Sequence, residues 1–549
     1  MTVEEIRAIV KGEVSTDEET LTKFSHDASI FEVKPQFVVA PRDAEDIKKL
    51  VLYVNAQREK MDSKASITAR SAGTCMSGGP LTESIVLDMT KYFNRVLTVD
   101  GDYAITEPGV YYRDFDAQTK RVGLFMPSYP ASRELATVGG MVANNSGGEK
   151  TLSYGKTEDY VMELSVVFAD GNEYVVKPIS KKELDLKMKL KNFEGKLYAK
   201  LFELVTENQK ELAGAKPAVS KNSAGYYLWD VWDGETFDMT KLLTGSQGTL
   251  GIITRIKFKL VPVKPISKMA VIFLKDLKPL GDVVVEAMKH QPESLESYDD
   301  NTLKLAIKFF PGIARSLRKQ GQSLFTLAKE FLPEVKMVLT GGMPKLVIFA
   351  EFAGTNEVEI DAKLKALGEG IAKLPVKFRL VTSAEESKKY WVIRRESFSL
   401  LRNNVKDKHT APFIDDFCIK PELLPEFLPK LNTILAKYPS LIYTIAGHAG
   451  DGNFHIIPLM NLADPAQRMI IPKLSDEVYN LVIEYKGSIT AEHNDGLIRS
   501  PYLEKMYGKD ITDLFTQTKD IFDPQNIFNP GKKVHSSLPF ALSHIKKGF

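Results

Sequence analysis

The apolar positions near the start of the chain change repeatedly between strand-like runs and helix-like spacing. Residues 37–41 form an apolar run that ends at a proline, which predicts a strand. Residues 44–54 then carry apolar side chains at helical spacing, and Asp43 before them is a typical N-cap. Further elements are predicted as strands at residues 66–68, 85–88, 95–99 and 103–109 and as a helix at residues 112–121. This alternation is typical of an α/β unit.

Residues 1–32 are predicted to form a helical lead-in. Thr2 with Glu5, and Ser15 with Glu18, have the spacing of a capping box, in which two side chains satisfy the first free N–H groups of a helix. The sequence therefore predicts two short helices before the first strand.

The length of the chain and a change of composition indicate more than one domain. A chain of 549 residues is too long for one hydrophobic core and is expected to form two to four domains, at about 150 residues each. The composition changes after Pro262 and Pro265, and the alternating stretch 269–274 starts a new pattern. We therefore place a domain boundary at residues 262–266.

Residues 304–336 mix large apolar side chains with lysines and arginines. This mixture suits an amphipathic element that meets a membrane surface or a redox partner. The alternative, which is the commoner arrangement, is that the apolar residues cap a core. We treat residues 304–342 as an insert in the second domain.

Overall charge and cysteine content exclude several classes of protein. The formal net charge is +2, from 73 Lys and Arg against 71 Asp and Glu, so no overall field favours a nucleic-acid partner. Cys75 and Cys418 are the only cysteines, which excludes a disulfide framework and a Cys₄ iron–sulfur cluster in this polypeptide. The N-terminus lacks a leader pattern and no apolar stretch is long enough to span a bilayer, so we expect a cytoplasmic location, with residues 304–336 as the candidate for peripheral contact with the membrane.

Four clusters of glycine and small polar residues follow one another along the first half of the chain. In residues 69–79, three glycines let the backbone turn sharply and bring its N–H groups close to a polyanion. A single loop of this kind is often an ordinary turn. Residues 137–148, 154–157 and 243–254 repeat the pattern, and the four clusters together predict one large nucleotide cofactor.

These clusters resemble the FAD-binding domain of the vanillyl-alcohol-oxidase and p-cresol-methylhydroxylase (PCMH) superfamily, in its branch of D-2-hydroxy-acid dehydrogenases. The resemblance extends from about Asp27 to Lys532. It implies an α+β fold, with a two-subdomain PCMH-type FAD-binding domain at residues 33–264. An FAD-linked-oxidase C-terminal cap domain, built on an antiparallel sheet with helices, would occupy residues 265–500. Residues 501–549 would then return to the FAD domain.

In that family the first glycine loop holds the FAD pyrophosphate, and later segments run beside the ribityl chain and the isoalloxazine. By position, the resemblance implies FAD contacts from Ser71, Ala72, Gly73, Thr74, Cys75, Met76, Ser77, Gly78, Pro127, Thr137, Gly140, Asn144, Ser146, Gly147, Tyr154, Gly155, Ile253 and Asn529. Some relatives attach the flavin covalently through a histidine in the first loop. Thr74 stands at the matching place here, so we expect the FAD to be non-covalent.

The sharpest local signal is the stretch 446–455, in which two histidines flank Gly-Asp-Gly. The apolar flanks of this stretch predict two strands joined by a tight turn, which would bring His448 and His455 to the same end of a sheet. Glu492 and His493 follow later in the chain. From the residues alone, two histidines and a remote glutamate are either part of a metal site or polar residues of the core.

In the D-2-hydroxy-acid dehydrogenases these segments hold a divalent metal and a base. The resemblance implies that His448, His455 and Glu492 are metal ligands and that His493 is the catalytic base. Two imidazoles and one carboxylate suit Zn²⁺, Mn²⁺ or Fe²⁺. Residues 494–496 are Asn-Asp-Gly where many relatives have Gly-x-Gly, so we expect the loop to have a different local shape.

An arginine is expected to bind the substrate carboxylate. Residues 390–396 resemble the family's Trp-x-x-Arg-Glu element, whose arginine binds this group bidentately. The Trp-x-x-Arg spacing selects Arg394 and the Arg-Glu pair selects Arg395; we favour Arg394, and a surface ion pair is the alternative for either. Lys420 is a candidate for contact with a second substrate carboxylate.

The implied reaction is the oxidation of a D-2-hydroxy acid, such as D-lactate, glycolate or D-2-hydroxyglutarate, to the 2-oxo acid. The metal lowers the pKa of the hydroxyl group, the histidine takes its proton, and the Cα hydride passes to flavin N5. Because the chain has no Cys₄ cluster, we expect the electrons to pass to a separate acceptor, which is a quinone, an electron-transfer flavoprotein or a cytochrome.

Three other functions compete with this one. A transferase similar to alkyl-dihydroxyacetone-phosphate synthase would use the same flavin fold, but the intact set of three histidines and one glutamate argues against it. A metal-dependent hydrolase would explain the histidines and leave the four glycine clusters unexplained. A non-catalytic protein that binds a membrane or a partner through residues 304–336 would show binding without turnover.

Overall fold

The computed structural model describes residues 1–60, 63–308, 342–383, 386–395 and 408–547. From residue 309 onward, the amphipathic stretch proposed for a membrane or partner surface lies outside these ranges. Within the described ranges, every helix is too short or too polar to cross a lipid bilayer.

The described residues form three larger sheets, three short strand pairs and a set of helices. In chain order the strands are β1 (Glu13–Ser15), β2 (Phe37–Ala40), β3 (Ile67–Arg70), β4 (Ile85–Asp88), β5 (Val96–Asp100), β6 (Tyr103–Thr106), β7 (Leu124–Phe125), β8 (Val161–Val167), β9 (Glu173–Val176), β10 (Ile179–Ser180), β11 (Thr236–Phe237), β12 (Ile252–Lys259), β13 (Val261–Pro262), β14 (Ile266–Leu274), β15 (Ser294–Asp299), β16 (Leu346–Gly354), β17 (Lys377–Val381), β18 (His409–Thr410), β19 (Phe417–Cys418), β20 (Ile445–His448), β21 (Asn453–Ile456) and β22 (Leu459–Met460). The helices are α1 (Val3–Ile9), α2 (Glu18–Phe24), α3 (Ala44–Arg58), α4 (Tyr112–Lys120), α5 (Val138–Asn144), α6 (Thr151–Tyr154), α7 (Lys181–Met188), α8 (Phe193–Glu207), α9 (Gln209–Ala215), α10 (Met239–Leu243), α11 (Leu280–Lys289), α12 (Asp300–Lys308), α13 (Glu357–Ile371), α14 (386–395), α15 (Leu424–Ala436), α16 (Pro465–Arg468), α17 (Ile470–Glu484), α18 (Gly496–Arg499), α19 (Leu503–Tyr507), α20 (Lys509–Phe522) and α21 (Leu538–Ser543).

The first sheet has the strand order β1-β2-β4-β3, in which β2, β4 and β3 are parallel and β1 is antiparallel to β2. Helix α3 packs on this sheet, and the apolar positions predicted to form its inner face are fully buried. Asp43 caps α3 as predicted. Strand β3 ends at Arg70, so it leads the chain directly into the first glycine loop.

The second sheet has the strand order β5-β6-β12-β8-β9 and is antiparallel throughout. Helices α5 and α8 contribute apolar side chains to the core on this sheet. Helix α20, from near the end of the chain, contributes Leu514 and Phe515 to the same core. The last part of the chain therefore packs against the sheet that follows the first glycine loop.

The third sheet has the strand order β17-β14-β16-β15-β20-β21-β19, with antiparallel neighbours. Helices α11, α13, α15 and α17 share one core with it. A second core joins the sheet to α14, where the ring of Trp391 meets that of Phe349 edge-on at 4.9 Å between centroids. Mixed and antiparallel sheets covered by helices confirm the predicted α+β class.

The two helices predicted at the N-terminus are present as α1 and α2. Thr2 and Glu5 form the predicted capping box of α1. The second predicted capping box is wrong, because Asp17 is the N-cap of α2 and accepts a backbone N–H group of its first turn at 2.9 Å. Ser15 instead lies in β1, where pairing with β2 keeps its backbone extended.

Candidate functional site

A cavity of about 870 Å³ is lined by both the glycine loops and the β20–β21 hairpin. Its volume lies in the range of cofactor and small-molecule sites, about 300–1,000 Å³. One set of lining residues comes from the predicted FAD contacts and is called the cofactor cradle here: Ser71, Ala72, Gly73, Thr74, Cys75, Met76, Thr137, Gly140, Asn144, Ser146 and Ile253. A second set is called the histidine cluster: His448, His455, Glu492 and His493. Arg394 lines the same cavity.

The other predicted FAD contacts are not among the lining residues: Ser77, Gly78, Pro127, Gly147, Tyr154, Gly155 and Asn529. Asn529 donates to the carbonyl oxygens of Gly79 at 3.0 Å and Gln247 at 2.7 Å, so it ties two glycine loops together. The Ser77 hydroxyl donates to the carbonyl oxygen of His493 at 3.2 Å. These two residues hold the walls of the cavity in place.

The cofactor cradle suits a phosphate-bearing cofactor because its walls are backbone and small side chains. Gly73 and Gly78 have φ values of 71° and 79°, a left-handed conformation that favours glycine. At Gly140 an added Cβ would lie 3.4 Å from Thr137 Oγ1 and 3.8 Å from Ser71 Cβ, in van der Waals contact with both, so a side chain here would fill the space beside them. The residues present therefore fit FAD.

The predicted hairpin in residues 446–455 is present. Strands β20 and β21 pair antiparallel, with His448 opposite Asn453. Gly452, in the turn, has φ of 68°, and a Cβ there would lie 1.9 Å from the carbonyl oxygen of Ile419, so a side chain is excluded. This tight turn brings the ring centroids of His448 and His455 to 5.4 Å.

One buried carboxylate fixes the loop that carries Glu492 and His493. Asp416 Oδ2 accepts the backbone N–H groups of Ala491, Glu492 and His493 at 2.9, 2.9 and 2.7 Å. The Thr490 hydroxyl donates to the same oxygen at 2.7 Å. Because four donors converge on one oxygen, the two functional side chains leave the loop in fixed directions.

The Asn-Asp-Gly sequence at residues 494–496 joins this loop to the flavin-side segments. Asn494 has φ of 65°, which asparagine tolerates better than most residues. Its Nδ2 donates to the carbonyl oxygens of Asn144 at 3.1 Å and Gly245 at 2.8 Å. Asp495 is fully buried and lies 2.7 Å from the ammonium group of Lys533. The departure from the family pattern therefore supplies contacts that a glycine cannot make.

Among the described residues, three groups of side chains are spaced closely enough to hold a metal ion. In the predicted set, the ligand atoms of His448, His455 and Glu492 lie within 4.8 Å of one another. Each of the other two groups replaces two of these residues, by Asp415 and His493 in one case and by Asp416 and His493 in the other. Neither aspartate lines the cavity, so the predicted set is the one that faces it. Two imidazoles and a carboxylate fit a divalent ion such as Zn²⁺.

Lys221 is a buried cation beside the histidine cluster. Its Nζ lies 2.5 Å from Glu492 Oε1 and 3.2 Å from Asp451 Oδ2, and its side chain is fully buried. Burial alone would raise the pKa of Glu492, but Lys221, and then His448, hold that pKa well below its ordinary value. Glu492 is therefore ionised, as a metal ligand must be.

A carboxylate lies against Nδ1 of every imidazole in the cluster. Glu296, which stands opposite His448 across β15 and β20, places Oε1 2.5 Å from His448 Nδ1. Asp415 places Oδ1 3.1 Å from His455 Nδ1 and Oδ2 2.8 Å from His493 Nδ1. The two carboxylates thus account for one ring nitrogen of each histidine.

These carboxylates also set the charge of the imidazoles. Burial lowers the pKa of His448, but Glu296 outweighs it and raises that pKa to about 9. Burial likewise lowers the pKa of His493, and Asp416 together with Asp415 raises it to about 9. Both imidazoles are therefore strongly basic for histidine.

The two adjacent arginines differ in their partners. Arg395 makes contacts of 3.1, 2.6 and 2.6 Å with the carboxylate of Glu149 and lies over the ring of Trp391. Arg394 Nε lies 3.3 Å from Glu296 Oε2, and this atom has no hydrogen-bond partner among the described residues. Both arginines line the cavity, and Arg394 makes the weaker contact with a protein carboxylate.

The sequence analysis missed the charged residues that support the histidine cluster: Lys221, Glu296, Asp415 and Asp416. A signal was present for two of them, because adjacent aspartates directly precede the buried strand β19. The indication for Glu296 was weaker: it is a charged residue within the short strand β15, whose residues are all buried. Lys420 is exposed and does not line the cavity, so the structure does not place it with the cluster.

Comparison with known families gives two matches along the chain. A family described as "FAD binding domain" matches residues 35–177, and a family described as "FAD linked oxidases, C-terminal domain" matches residues 265–533. The first range contains the first three glycine clusters, and the second contains the whole histidine cluster.

Curated relatives match over nearly the whole chain. D-2-hydroxyglutarate dehydrogenase of Pseudomonas putida is 28% identical over 95% of this chain, which spans only 50% of that relative's length. Glycolate oxidase subunit GlcD of Bacillus subtilis is 30% identical over 93% of this chain and 91% of its own length. D-lactate dehydrogenase of Archaeoglobus fulgidus is 27% identical over 90% of this chain and 91% of its own length.

Solved structures share the fold at low sequence identity. 4-Ethylphenol oxidase from Gulosibacter chungangensis superposes with a TM-score of 0.67 at 17% identity, covering 97% of this chain and 96% of its own. Alkyldihydroxyacetonephosphate synthase superposes with a TM-score of 0.66 at 14% identity, covering 96% of this chain and 84% of its own. One scaffold therefore carries differently named enzymes, and the site rather than the fold must decide the reaction.

Proposed function

The chain belongs to the family of FAD-linked oxidases, and from this premise we propose that it oxidises a D-2-hydroxy acid to the 2-oxo acid. The observation that carries the proposal is the single cavity in which the cofactor cradle, the histidine cluster and Arg394 meet. The names of the relatives support the substrate class, because hydroxyglutarate, lactate and glycolate are all 2-hydroxy acids.

Two bound groups complete the site in this proposal. FAD in the cofactor cradle supplies the acceptor for the hydride of Cα. His448, His455 and Glu492 would hold a divalent cation, which would polarise the substrate hydroxyl and, by charge repulsion, lower the pKa of the neighbouring His493. Thr74 stands where covalent attachment would need a histidine, which supports dissociable FAD.

The side chains of this protein bind the acid and move one proton. The Arg394 guanidinium binds the substrate carboxylate, since Arg394 lines the cavity and meets Glu296 through Nε rather than through its terminal nitrogens. His493 accepts the hydroxyl proton at Nε2, because its Nδ1 faces Asp415. The C–H electron pair leaves as hydride and a C=O bond forms, so the acid loses two electrons and two hydrogens in total.

The reduced flavin then needs an electron acceptor from outside the chain. Cys75 and Cys418 are the only cysteines, too few for an iron–sulfur cluster. A quinone, an electron-transfer flavoprotein or a cytochrome fits this role. We place the protein in the cytoplasm or on the inner face of the membrane, where such acceptors are available.

An anaerobic visible spectrum of the FAD-loaded protein tests the proposal. D-Lactate, glycolate, D-2-hydroxyglutarate and the L-enantiomers are added in turn, with and without a chelator. We expect at least one of the D-acids or glycolate to bleach the oxidised flavin, and we expect the chelator to slow the bleaching. His493→Ala should bind FAD and slow the bleaching by about 10²–10⁴-fold, the usual contribution of a general base.

His290→Ala is the matched control, because His290 ends the surface helix α11 and does not line the cavity. It should bleach at the wild-type rate. If no hydroxy acid reduces bound flavin even with metal restored, the reaction is wrong, and a transferase on the same fold, like alkyldihydroxyacetonephosphate synthase, becomes the better assignment. If the protein does not bind FAD at all, the whole assignment fails.

A further inference from the structure

The histidine cluster contains one carboxylate that is shared by two imidazoles with different proposed roles. Asp415 Oδ1 accepts from His455 Nδ1 at 3.1 Å, and Asp415 Oδ2 lies 2.8 Å from His493 Nδ1. The two rings lie nearly parallel, with an interplanar angle of 25° and 5.2 Å between centroids. A proposed metal ligand and the proposed base are thus held by the two oxygens of one side chain.

Asp415 lies in the protein interior, behind the residues that line the cavity. Its side chain is fully buried and does not line the cavity that the two imidazoles line. The buried Arg499 donates to the Asp415 backbone carbonyl at 2.6 Å and so fixes the position of the residue. Asp415 Oδ2 and His493 Nδ1 are buried and lie 2.8 Å apart, and neither atom makes a well-oriented hydrogen bond to any described residue, so no described group competes with this contact.

A carboxylate in this position determines which ring nitrogen carries the proton. An ionised carboxylate only accepts hydrogen bonds, so both His455 and His493 must present an N–H group at Nδ1. Whenever either ring is neutral, Nε2 is then the nitrogen that has the lone pair. That is the nitrogen a metal ion needs on His455 and a substrate proton needs on His493.

We propose that Asp415 is a positioning residue that fixes the tautomer and orientation of the ligand His455 and of the base His493 at the same time. This inference rests on the proposed function for the roles of the two histidines. It adds that metal binding and proton acceptance depend on one buried carboxylate. Glu296 provides the comparison within the same site, because it holds the ligand His448 alone among the imidazoles.

The competing possibility is that Asp415 itself binds the metal, since Asp415, His455 and His493 also satisfy metal spacing. Two features argue against it. The carboxylate oxygens approach the two Nδ1 atoms at hydrogen-bond distance, so they are occupied on the side away from the cavity. An ion that enters through the cavity meets His448, His455 and Glu492 before it meets Asp415.

The test compares Asp415→Asn with Glu296→Gln in the FAD-loaded protein. An asparagine offers one accepting oxygen and one donating NH₂ group, so it cannot hold both imidazoles as Nδ1–H donors. Zn²⁺ and Mn²⁺ affinity is measured by competition with a chelator. The limiting rate of flavin reduction is then measured at saturating hydroxy acid and saturating metal.

Both variants should bind the metal about 10–100-fold more weakly, the usual cost of removing a partner of a metal-bound histidine. The limiting rates of flavin reduction of the two variants should differ once the metal is saturating. At saturating acid, excess metal should return the limiting rate of Glu296→Gln to near the wild-type value, because Glu296 contacts the ligand His448 and the substrate-binding Arg394 but not the base. The limiting rate of Asp415→Asn should stay about 10²–10⁴-fold low, because the base is also misplaced.

Glu351→Gln is the control for loss of a partly buried carboxylate, because Glu351 lies in β16 of the same sheet and accepts a hydrogen bond from Ser267 at 2.6 Å rather than from a histidine. It should change neither metal affinity nor rate. Asp415→Ser, whose hydroxyl is too short to reach both rings, is the second variant if asparagine prevents folding, and the same pattern is expected from it.

Three results would overturn the inference. Full recovery of the Asp415→Asn rate with excess metal removes the role toward His493, and unchanged metal affinity removes the role toward His455. Complete loss of metal binding in Asp415→Asn, with wild-type affinity in Glu296→Gln, makes Asp415 a ligand. If wild-type flavin is not reduced by any hydroxy acid, the proposed function fails separately, and the metal measurements still test the role toward His455.

Discussion

The cofactor cradle and the histidine cluster face the same cavity but are built in different ways. The cradle consists mainly of backbone and small side chains from the first glycine loop, the segment around α5 and the start of β12, and none of its residues carries a formal charge at neutral pH. The cluster consists of ionisable side chains supported by further buried charges, which come from several distant segments. A phosphate-bearing cofactor needs space and N–H groups, whereas proton transfer needs fixed charges.

This difference has a consequence for stability. The cradle leaves its space open at little electrostatic cost, because small neutral residues need no counter-ion. The cluster gathers several carboxylates and basic groups away from water, and each must keep its partner, because an unpaired buried charge is costly. We therefore expect substitutions in the cradle to affect cofactor binding, and substitutions around the cluster to affect the fold as well.

The largest expected effect concerns Lys221, the buried cation that reaches the cluster from a segment before the second domain. Lys221→Met keeps a long apolar side chain but leaves Glu492 and Asp451 without their ammonium partner. We expect a loss of about 3–5 kcal/mol in the free energy of unfolding, as for one partner removed from a buried ion pair. The measurement is the shift of the urea unfolding transition without added metal.

Lys509→Met is the control, because Lys509 pairs with Asp513 on the exposed face of α20. It should leave the unfolding transition where it is in the wild type. A Lys221→Met protein as stable as the wild type would contradict the view that the cluster depends on buried pairing between distant segments.

A smaller effect separates the two arginines of α14. Arg394→Lys should lower kcat/KM for the hydroxy acid by about 10–100-fold, because lysine cannot make the paired hydrogen bonds of a guanidinium and such bonds contribute about 1.5–3 kcal/mol. Arg395→Lys should have less effect, since Arg395 is already bound to Glu149. Steady-state kinetics of both variants gives the answer, and the reverse order would make Arg395 the substrate arginine.

The smallest effect tests the cradle alone. Gly140→Leu should weaken FAD binding by about 10–100-fold, because overfilling a packed site costs about 1–3 kcal/mol. The FAD-free protein should unfold no earlier than the wild type, since an added Cβ meets no protein atom closer than 3.4 Å and leucine favours a helix more than glycine does. Flavin titration and thermal unfolding measure the two quantities.

Gly214→Leu provides the matched control, because Gly214 is also helical and an added Cβ there has no neighbour within 4 Å. Its FAD affinity should equal that of the wild type. Equal affinity in Gly140→Leu as well would mean that the cofactor does not use the space beside Thr137.

The parts of the fold and site that follow local patterns were predictable. The helix capped by Asp43 and the hairpin around Gly452 are present as predicted, because period and turn chemistry act over a few neighbouring residues. The cap of α2 was mispredicted for a related reason. Ser15 has the spacing of an N-cap, but it pairs with β2 instead. A local sequence pattern does not show that a distant strand competes for the same residue.

The sequence by itself determined the glycine loops, the spacing of His448 and His455, and the adjacency of Glu492 and His493, since each lies within one short segment. Only the tertiary structure decided which charges support them. Glu296 meets His448 across 152 positions, and Lys221 meets Glu492 across 271. Such contacts arise because strand order and domain packing bring distant segments together, and burial then requires each charge to have a partner, which no local pattern specifies.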